Sequence, residues 1–392
     1  MAEYTPAPGP EGPGSTPYPR LAVLASFTGD GGVENMVTNL LRGFFAAGVP
    51  VDLILLKARG GHLDRIPPQV NVIRLDVSTS ALALPAVVRY LRRQRPAAML
   101  VAKDRASRIA LLARRIAGVE TRLVLRMGMH LSGSLAGKSL IRRWSRHLPV
   151  RWLYPWADRI IAVSQAVADD LATIGHIPRE RFVVIRNPSV PEDIDALARA
   201  PVDHPWLGDD ATVPVIMGIG RLTAQKDFPS LIRAFSEVRR HRPARLIILG
   251  AGPQREALEK LAATLRIGDC VYFAGFQGNP YAWLSRASLF VLSSRYEGSP
   301  NVLVEAMALG VPVVSTNCPS GPAEILDNGR IAPLVPPGDS RALAEAMQRT
   351  LDQPSDRGAL QHAVSEYTID ASAREYLRVL GYSSKEDGTH HR

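Results

Sequence analysis

Short aliphatic and β-branched runs alternate with longer helix-patterned segments along this chain, and the alternation is laid down twice. In the first half, strands are expected at 21–26, 51–56, 70–75, 98–102, 121–125, 159–163 and 182–185, with helical patterns at 33–47, 86–93 and 105–117 among them. A helix between two strands carries the chain back to the edge where the last strand began, so such strands run parallel. The pattern then halts. Residues 187–214 hold Pro188, Pro191, Pro201, Pro205 and Pro214 around a short helix-like piece at 193–200. Each proline fixes φ and removes a backbone donor, which marks a linker. Strands resume at 215–219, 245–249, 271–273, 289–292 and 312–315, separated by helical stretches at 229–240, 255–265 and 302–309. The fold class is α/β, with two doubly wound, Rossmann-like domains at 21–188 and 213–380 joined by a linker at 189–212.

Composition narrows the function classes. Hydrophobic residues at 46% fill substantial cores, and no apolar run approaches the ~18 residues of a spanning helix. Residues 1–20 hold six Pro and three Gly without an apolar stretch, so they are expected to be a disordered tail and not a secretory signal. A polar tail is expected at 381–392. Cys270 and Cys318 form no disulfide or zinc pattern, which points to a reducing cytoplasm. Charge is uneven. Residues 1–200 carry 27 Lys and Arg against 16 Asp and Glu, a net of +11, while the remainder is close to balanced. The first half therefore suits an anionic surface, most sharply at 121–157, where seven cations occur with no acidic residue.

In open α/β sheets ligands bind beyond the carboxyl ends of the strands, so the loops that follow strands carry the chemistry. After the first strand, Gly29, Gly31 and Gly32 lead to Glu34 at the start of a helix. Such a loop admits close backbone approach to an anion, or serves as a plain turn. Its spacing is not that of a nicotinamide-cofactor loop. The first strand of the second domain runs through Gly218 and Gly220 into Arg221 and Lys226, two cations suited to a diphosphate or, singly, to solvent. The loop after 289–292 contains Glu297, Gly298 and Asn301. Ser299 is expected as a helix cap, Pro300 as the first helical residue and Gly310 as the stop. Glu305 interrupts apolar residues in the helix that follows; a carboxylate facing the sheet edge can accept two sugar or ribose hydroxyls. The loop at 316–325 holds Cys318, which has no histidine nearby to activate it.

Together these residues resemble the family-four glycosyltransferases, the large retaining group with the GT-B fold. The resemblance rests on Gly220-Arg221-Leu222 with Lys226-Asp227, on the Glu297 and Glu305 pair, and on the loop from Cys318 to Leu326. Ala162-Val163-Ser164, Asn187-Pro188 and Gly31-Gly32 add to it, and order and spacing agree from about residue 21 to 350. The resemblance implies two domains facing each other across a cleft. It implies that Arg221 and Lys226 hold the diphosphate of a nucleotide sugar, that Glu297 lies beside the sugar hydroxyls and that Glu305 binds the ribose. Gly31 and Gly32 would close over the phosphates or the acceptor, His130 would face the transferring sugar, and Gly220, Gly298 and Asn301 would complete the donor site. No metal and no cofactor is expected, because Arg, Lys and helix N-terminal amides answer the charge on the departing diphosphate. Family habit favours a uridine donor, a hexosyl unit and transfer on the donor's own face, to a glycan or lipid-linked acceptor of the cell surface.

Segment 134–156 interleaves Trp144, Trp152, Trp156 and aliphatic residues with five cations. It is a candidate for contact with an anionic membrane surface, placing the protein on the inner face of the cell membrane. The competing expectation is an ordinary helix leading into the next strand with Trp152 and Trp156 in the core. Two other functions compete. A sugar-nucleotide 2-epimerase shares the architecture but needs acid and base groups lining the cleft, and the nine histidines lie mostly outside the ligand loops. A nucleic-acid-binding protein would fit the high pI, but the cations accompany no binding module, so no nucleic-acid partner is expected.

Overall fold

A computed structural model of the chain describes residues 18–29, 31–208 and 212–382. The expected tails at 1–20 and 381–392 lie mostly outside the described residues. The first sheet collects β1 (Leu21–Thr28), β2 (Val51–Arg59), β3 (Asn71–Arg74), β4 (Ala98–Ala102), β5 (Arg122–Met127), β6 (Arg159–Ala162) and β7 (Phe182–Val184). Its helices are α1 (Gly32–Ala46), α2 (Leu84–Gln94), α3 (Asp104–Ala117), α4 (Leu131–Ser134), α5 (Leu140–Leu153) and α6 (Gln165–Gly175). After α7 (Ile194–Ala198) the second unit runs β8 (Val215–Ile219), α8 (Phe228–His241), β9 (Arg245–Leu249), α9 (Arg255–Thr264) and β10 (Val271–Gly275). It continues with α10 (Pro280–Leu284), β11 (Leu289–Leu292), α11 (Asn301–Ala308), β12 (Val313–Thr316), α12 (Pro322–Ile325) and β13 (Leu334–Val335). Three helices close the chain: α13 (Ser340–Asp352), α14 (Arg357–Ala363) and α15 (Ile369–Leu380).

The first sheet has the order β3-β2-β1-β4-β5-β6-β7 and the second β10-β9-β8-β11-β12-β13, with every pair parallel. A parallel sheet is covered on both faces, which is why the strands are near-continuous apolar runs and not alternating ones. In the first unit α2, α3, α5 and α6 seal one face and α1 the other. In the second, α10, α11 and α14 cover one face and α8, α9 and α13 the opposite one. Strand order reverses between β1 and β4 in one sheet and between β8 and β11 in the other. Loops leaving two such neighbours part to opposite faces and open a crevice, so these switch points are where ligands sit.

One expected boundary needs correction. Helix α15, assigned by position to the second domain, packs on the first: Ala373, Tyr376, Leu377, Val379 and Leu380 join the core that α1 seals. The reason is steric, because Gly43 of α1 lies where a Cβ would stand only 3.2 Å from Ile369 Cγ2, so the helices cross backbone to backbone. Arg122 fixes the crossing by donating from Nε to the Val379 carbonyl at 2.9 Å. The proline-rich linker is anchored, since Ile194 and Leu207 are buried in the second unit's core. Its loss of regular structure comes from the prolines and its fixed position from these two apolar anchors. Among the described residues no helix is long and apolar enough to cross a membrane.

Candidate functional site

The switch point of the second sheet is closed by a zipper between the loops after β8 and β11. Ser293 donates from Oγ to the Lys226 carbonyl at 2.7 Å, and the Arg295 amide donates to the Gln225 carbonyl at 2.8 Å. Asp227 accepts from Ser230 Oγ at 2.9 Å and from Arg295 Nε at 3.0 Å. Gly220, at the end of β8, leaves room for the Lys226 stem to fold across it. Lys226 thereby presents Nζ to Glu297 Oε1 at 2.6 Å, and Ser294 Oγ donates to the same oxygen at 2.6 Å. Gln225 Nε2 reaches the Tyr296 carbonyl at 3.1 Å. Lys226 and Glu297 are both largely buried, so each needs the other's charge. Arg221 differs. It is exposed, and among the described residues its guanidinium has no hydrogen bond or ion pair. The loop after β8 thus carries one preorganised cation, Lys226, and one exposed cation, Arg221.

Glu305 lies on the buried face of α11, without an ion pair or hydrogen bond among the described residues. Burial pushes its carboxyl from an ordinary 4.5 up to about 7, against the opposing pull of the Lys226 and Arg65 charges. Such a group at a ligand crevice is poised to be finished by hydroxyl donors. Cys318 lies nearby, but burial and the Glu297 charge push its thiol up to about 12, so it stays protonated and is no nucleophile.

The first domain meets this crevice directly. Gly298 lies against the Gly128 carbonyl so closely that a Cβ there would collide with it. Gly32, at the start of α1, stands 3.7 Å (measured from a Cβ position) from Asn301 Nδ2. Gly31 caps the same helix through its backbone alone. Asn301 Oδ1 accepts from Asn187 Nδ2 at 2.8 Å, and Asn187 Oδ1 accepts from the buried Arg126 at 2.7 Å, a polar chain between the domains. His130 caps α4 by accepting the Gly133 amide on Nδ1 at 3.0 Å. The neutral ring then carries its proton on Nε2. Gly133 sits between this ring and the Tyr296 side chain, which places His130 at the junction of the domains. Asp170 accepts the Leu131 amide at 2.6 Å and stands 3.8 Å from His130 Nδ1.

These elements bring Arg221, Lys226, Glu297, Glu305, Gly220 and Gly298 to one switch point, with Gly31, Gly32, Asn301 and His130 along the facing edge. Residues 213–353 match the family of glycosyl transferases group 1, and residues 30–192 match glycosyltransferase family 4, one match on each domain. The chain belongs to the family-four type of glycosyltransferase.

Among curated relatives, a lipopolysaccharide core biosynthesis glycosyltransferase, LpsE of Rhizobium meliloti, is 28% identical over 364 residues, 90% of this chain and 97% of that one. A Campylobacter jejuni enzyme that adds N-acetylgalactosamine to a diphospho-undecaprenol-linked sugar is 26% identical over 382 residues, 91% of this chain and 99% of its own length. An uncharacterized glycosyltransferase of Methanocaldococcus jannaschii is 34% identical over 180 residues, and there the match spans only 46% of this chain and 44% of the relative. The crystal structure of Anabaena HepE in complex with UDP and glucose superposes with a TM-score of 0.77 at 21% identity, covering 93% of this chain and all of that one. It shares the GT-B fold of two facing Rossmann-like domains.

The structure corrects details of the glycosyltransferase's sequence reading. Ser299 does not cap α11: Pro300 is extended (φ −75°, ψ 97°), so the helix starts at Asn301, too late for Ser299, whose Oγ has no partner among the described residues. Trp152 and Trp156 are exposed instead of filling the core. The roles of two groups were missed. Lys103, directly after β4, donates to Glu34 Oε1 at 2.7 Å and to the Ser26 carbonyl at 2.7 Å, so an ion pair fills the first sheet's switch point. Its place after a strand was the available signal. Glu324 accepts the Gln165 and Ala166 amides at 3.1 Å each and Arg186 at 3.1 Å, so a second-domain carboxylate caps a first-domain helix. Nothing in the sequence marks a partner so distant.

Proposed function

We propose that the enzyme moves a hexosyl unit from a UDP-sugar to a glycan or lipid-linked acceptor in cell-surface polysaccharide or glycolipid synthesis, with retention at the anomeric carbon and without a metal. The observation that carries this is the buried Lys226–Glu297 pair beside the open guanidinium of Arg221 at the second sheet's switch point. The donor diphosphate lies against Arg221 and Lys226, whose charges gain most as the sugar–phosphate bond breaks and the leaving group becomes more anionic. Glu297, oriented by Lys226 and Ser294, takes sugar hydroxyls; Glu305 takes the ribose. His130 offers Nε2–H to the sugar from the other domain. On the retained face the anomeric carbon loses the phosphate oxygen and gains the acceptor oxygen, and the acceptor's proton passes to the departing phosphate.

Relatives support the class of donor and acceptor: HepE was solved with UDP and glucose, LpsE serves lipopolysaccharide core synthesis, and the Campylobacter enzyme uses a lipid diphosphate-linked acceptor. LpsE and the Campylobacter enzyme are both named transferases, so an acceptor-free epimerase gains no support. The reading places the protein in the cytoplasm, peripheral on the inner face of the cell membrane. The test is a thermal-shift panel of UDP-, GDP- and ADP-sugars, then transfer with the stabilising donor and assignment of the product's anomeric configuration. A ligand present at a hundredfold its Kd stabilises by about 2.7 kcal/mol. An inverted product, or no stabilisation by any nucleotide sugar, refutes it.

A further inference from the structure

Helix α5 has an outer face that the fold leaves bare. Its inner side is fixed by the buried Val150 and Tyr154, by Tyr154 Oη donating to Asp104 at 2.7 Å, and by Arg146 pairing with the same carboxylate at 3.1 Å. Opposite, Leu140, Trp144, Leu148 and Trp152 recur every four residues and form one row along a helix about 21 Å long. Ile141 is 83% exposed, Trp144 70% and Trp152 68%, where an ordinary surface helix shows polar residues. Exposed Arg142, Arg143 and Arg151 accompany the row, and no acidic residue lies on the helix. Beyond its end, Arg115 stacks on the exposed Trp156 at 5.1 Å.

We infer that this face of α5 is a docking surface for an anionic lipid bilayer, the aromatic and aliphatic row entering the headgroup layer while the arginines meet lipid phosphates. This deepens the peripheral placement proposed above by naming the surface and its partner. Charge decides between occupants. A second copy of this chain would bring the same arginines against themselves, whereas an anionic lipid surface complements them. Tryptophan is the side chain best suited to the boundary between headgroup and acyl chain, and its recurrence on one row gives a line of insertion instead of a single anchor. The helix follows α4, capped by His130, after a five-residue connection that ends at Ser139. Docking on α5 thus holds the His130 side of the cleft beside the membrane, from which a lipid-linked acceptor would come.

The test is cosedimentation of the full chain with vesicles of phosphatidylglycerol and phosphatidylcholine against phosphatidylcholine alone, with tryptophan quenching by brominated lipid. Binding is expected on the anionic vesicles only, with quenching, and weakening as salt rises. Arg142→Ser with Arg143→Ser should lower partitioning roughly thirtyfold, each cation near such a surface contributing about a factor of five. Trp144→Ser with Trp152→Ser should lower it at least about tenfold and abolish most quenching. Both variants should keep wild-type stabilisation by UDP, which shows that fold and donor site are intact. No binding by wild type, binding that neither variant changes, or a dimer that Trp144→Ser dissolves would overturn the inference. Vesicle binding without any nucleotide-sugar binding sinks the transfer reading alone; nucleotide binding without vesicle binding sinks the lipid face alone.

Discussion

Lys226 and Glu297 stand 2.6 Å apart across 71 residues of sequence, joining the two loops that leave the switch point of the second sheet. Each is largely buried, so their charges are matched to one another before any ligand arrives. Preorganisation of this kind lets a cation stabilise a developing phosphate charge without rearranging at the moment of reaction. Removing one partner leaves the other as an uncompensated charge, which costs about 3 kcal/mol. Lys226→Met and Glu297→Gln should each lose about that much in urea unfolding, and the double variant much less than their sum. Strictly additive losses would show that the pair does not organise the site.

Glu305 gives a pH dependence with a definite sign. Its native carboxyl holds the proton up to about 7, against an ordinary 4.5. The native state is therefore favoured most below the ordinary value and loses about 3 kcal/mol as pH rises from there through about 7. Glu305→Gln should flatten that part of the stability curve in the unliganded enzyme. Ribose hydroxyls donating to the carboxylate favour its ionised form, so UDP affinity should rise with pH through 7 in the wild type and not in the variant. Calorimetric titration at pH 6 and pH 8 checks this; identical pH dependence in both proteins removes the ribose role.

Gly298 sets the approach of the two domains. Alanine there collides with the Gly128 carbonyl and should displace the His130 edge relative to the donor. A misplacement near 1 Å costs roughly a hundredfold in kcat, while nucleotide affinity, which lies within one domain, should change only a few-fold. Steady-state kinetics beside UDP titration separates the two. Loss of nucleotide affinity with unchanged kcat would mean that Gly298 serves only the donor.

Glu324 acts as a clasp, capping α6 and pairing with Arg186 across the domain boundary. Glu324→Ala should destabilise by about 1–2 kcal/mol, the loss of a cap plus a partly exposed ion pair. It should also widen the distribution of interdomain distances in small-angle scattering. An unchanged scattering curve would limit Glu324 to capping.

The residues that the sequence singles out follow strands that meet at one switch point, which needs only strand order and the loops that leave it. Arg221, Lys226 and Glu297 follow strands 215–219 and 289–292, and both strands announce themselves as unbroken apolar runs. Strand β13 escaped because two residues between Pro333 and Pro336 show no periodicity. Helix α15 was assignable as amphipathic, but nothing in its residues says which core its apolar face joins. The exposure of Trp152 and Trp156 was hidden for the same reason: an aromatic at helical spacing suits a core or an interface equally well. Glu324 and Lys103 depend on partners 158 and 69 residues away, a distance no local pattern spans.

The most direct measurement is calorimetric titration of UDP into the wild type, Arg221→Ala, Lys226→Ala and their double variant, with thermal unfolding of each recorded alongside. Arg221 is exposed and has no partner among the described residues, so its removal should leave the unfolding temperature unchanged while weakening UDP at least about tenfold. The double variant should lose UDP at least about a hundredfold and abolish sugar transfer in a chain that still unfolds cooperatively. Wild-type affinity and turnover in the folded double variant would contradict a diphosphate site at this switch point.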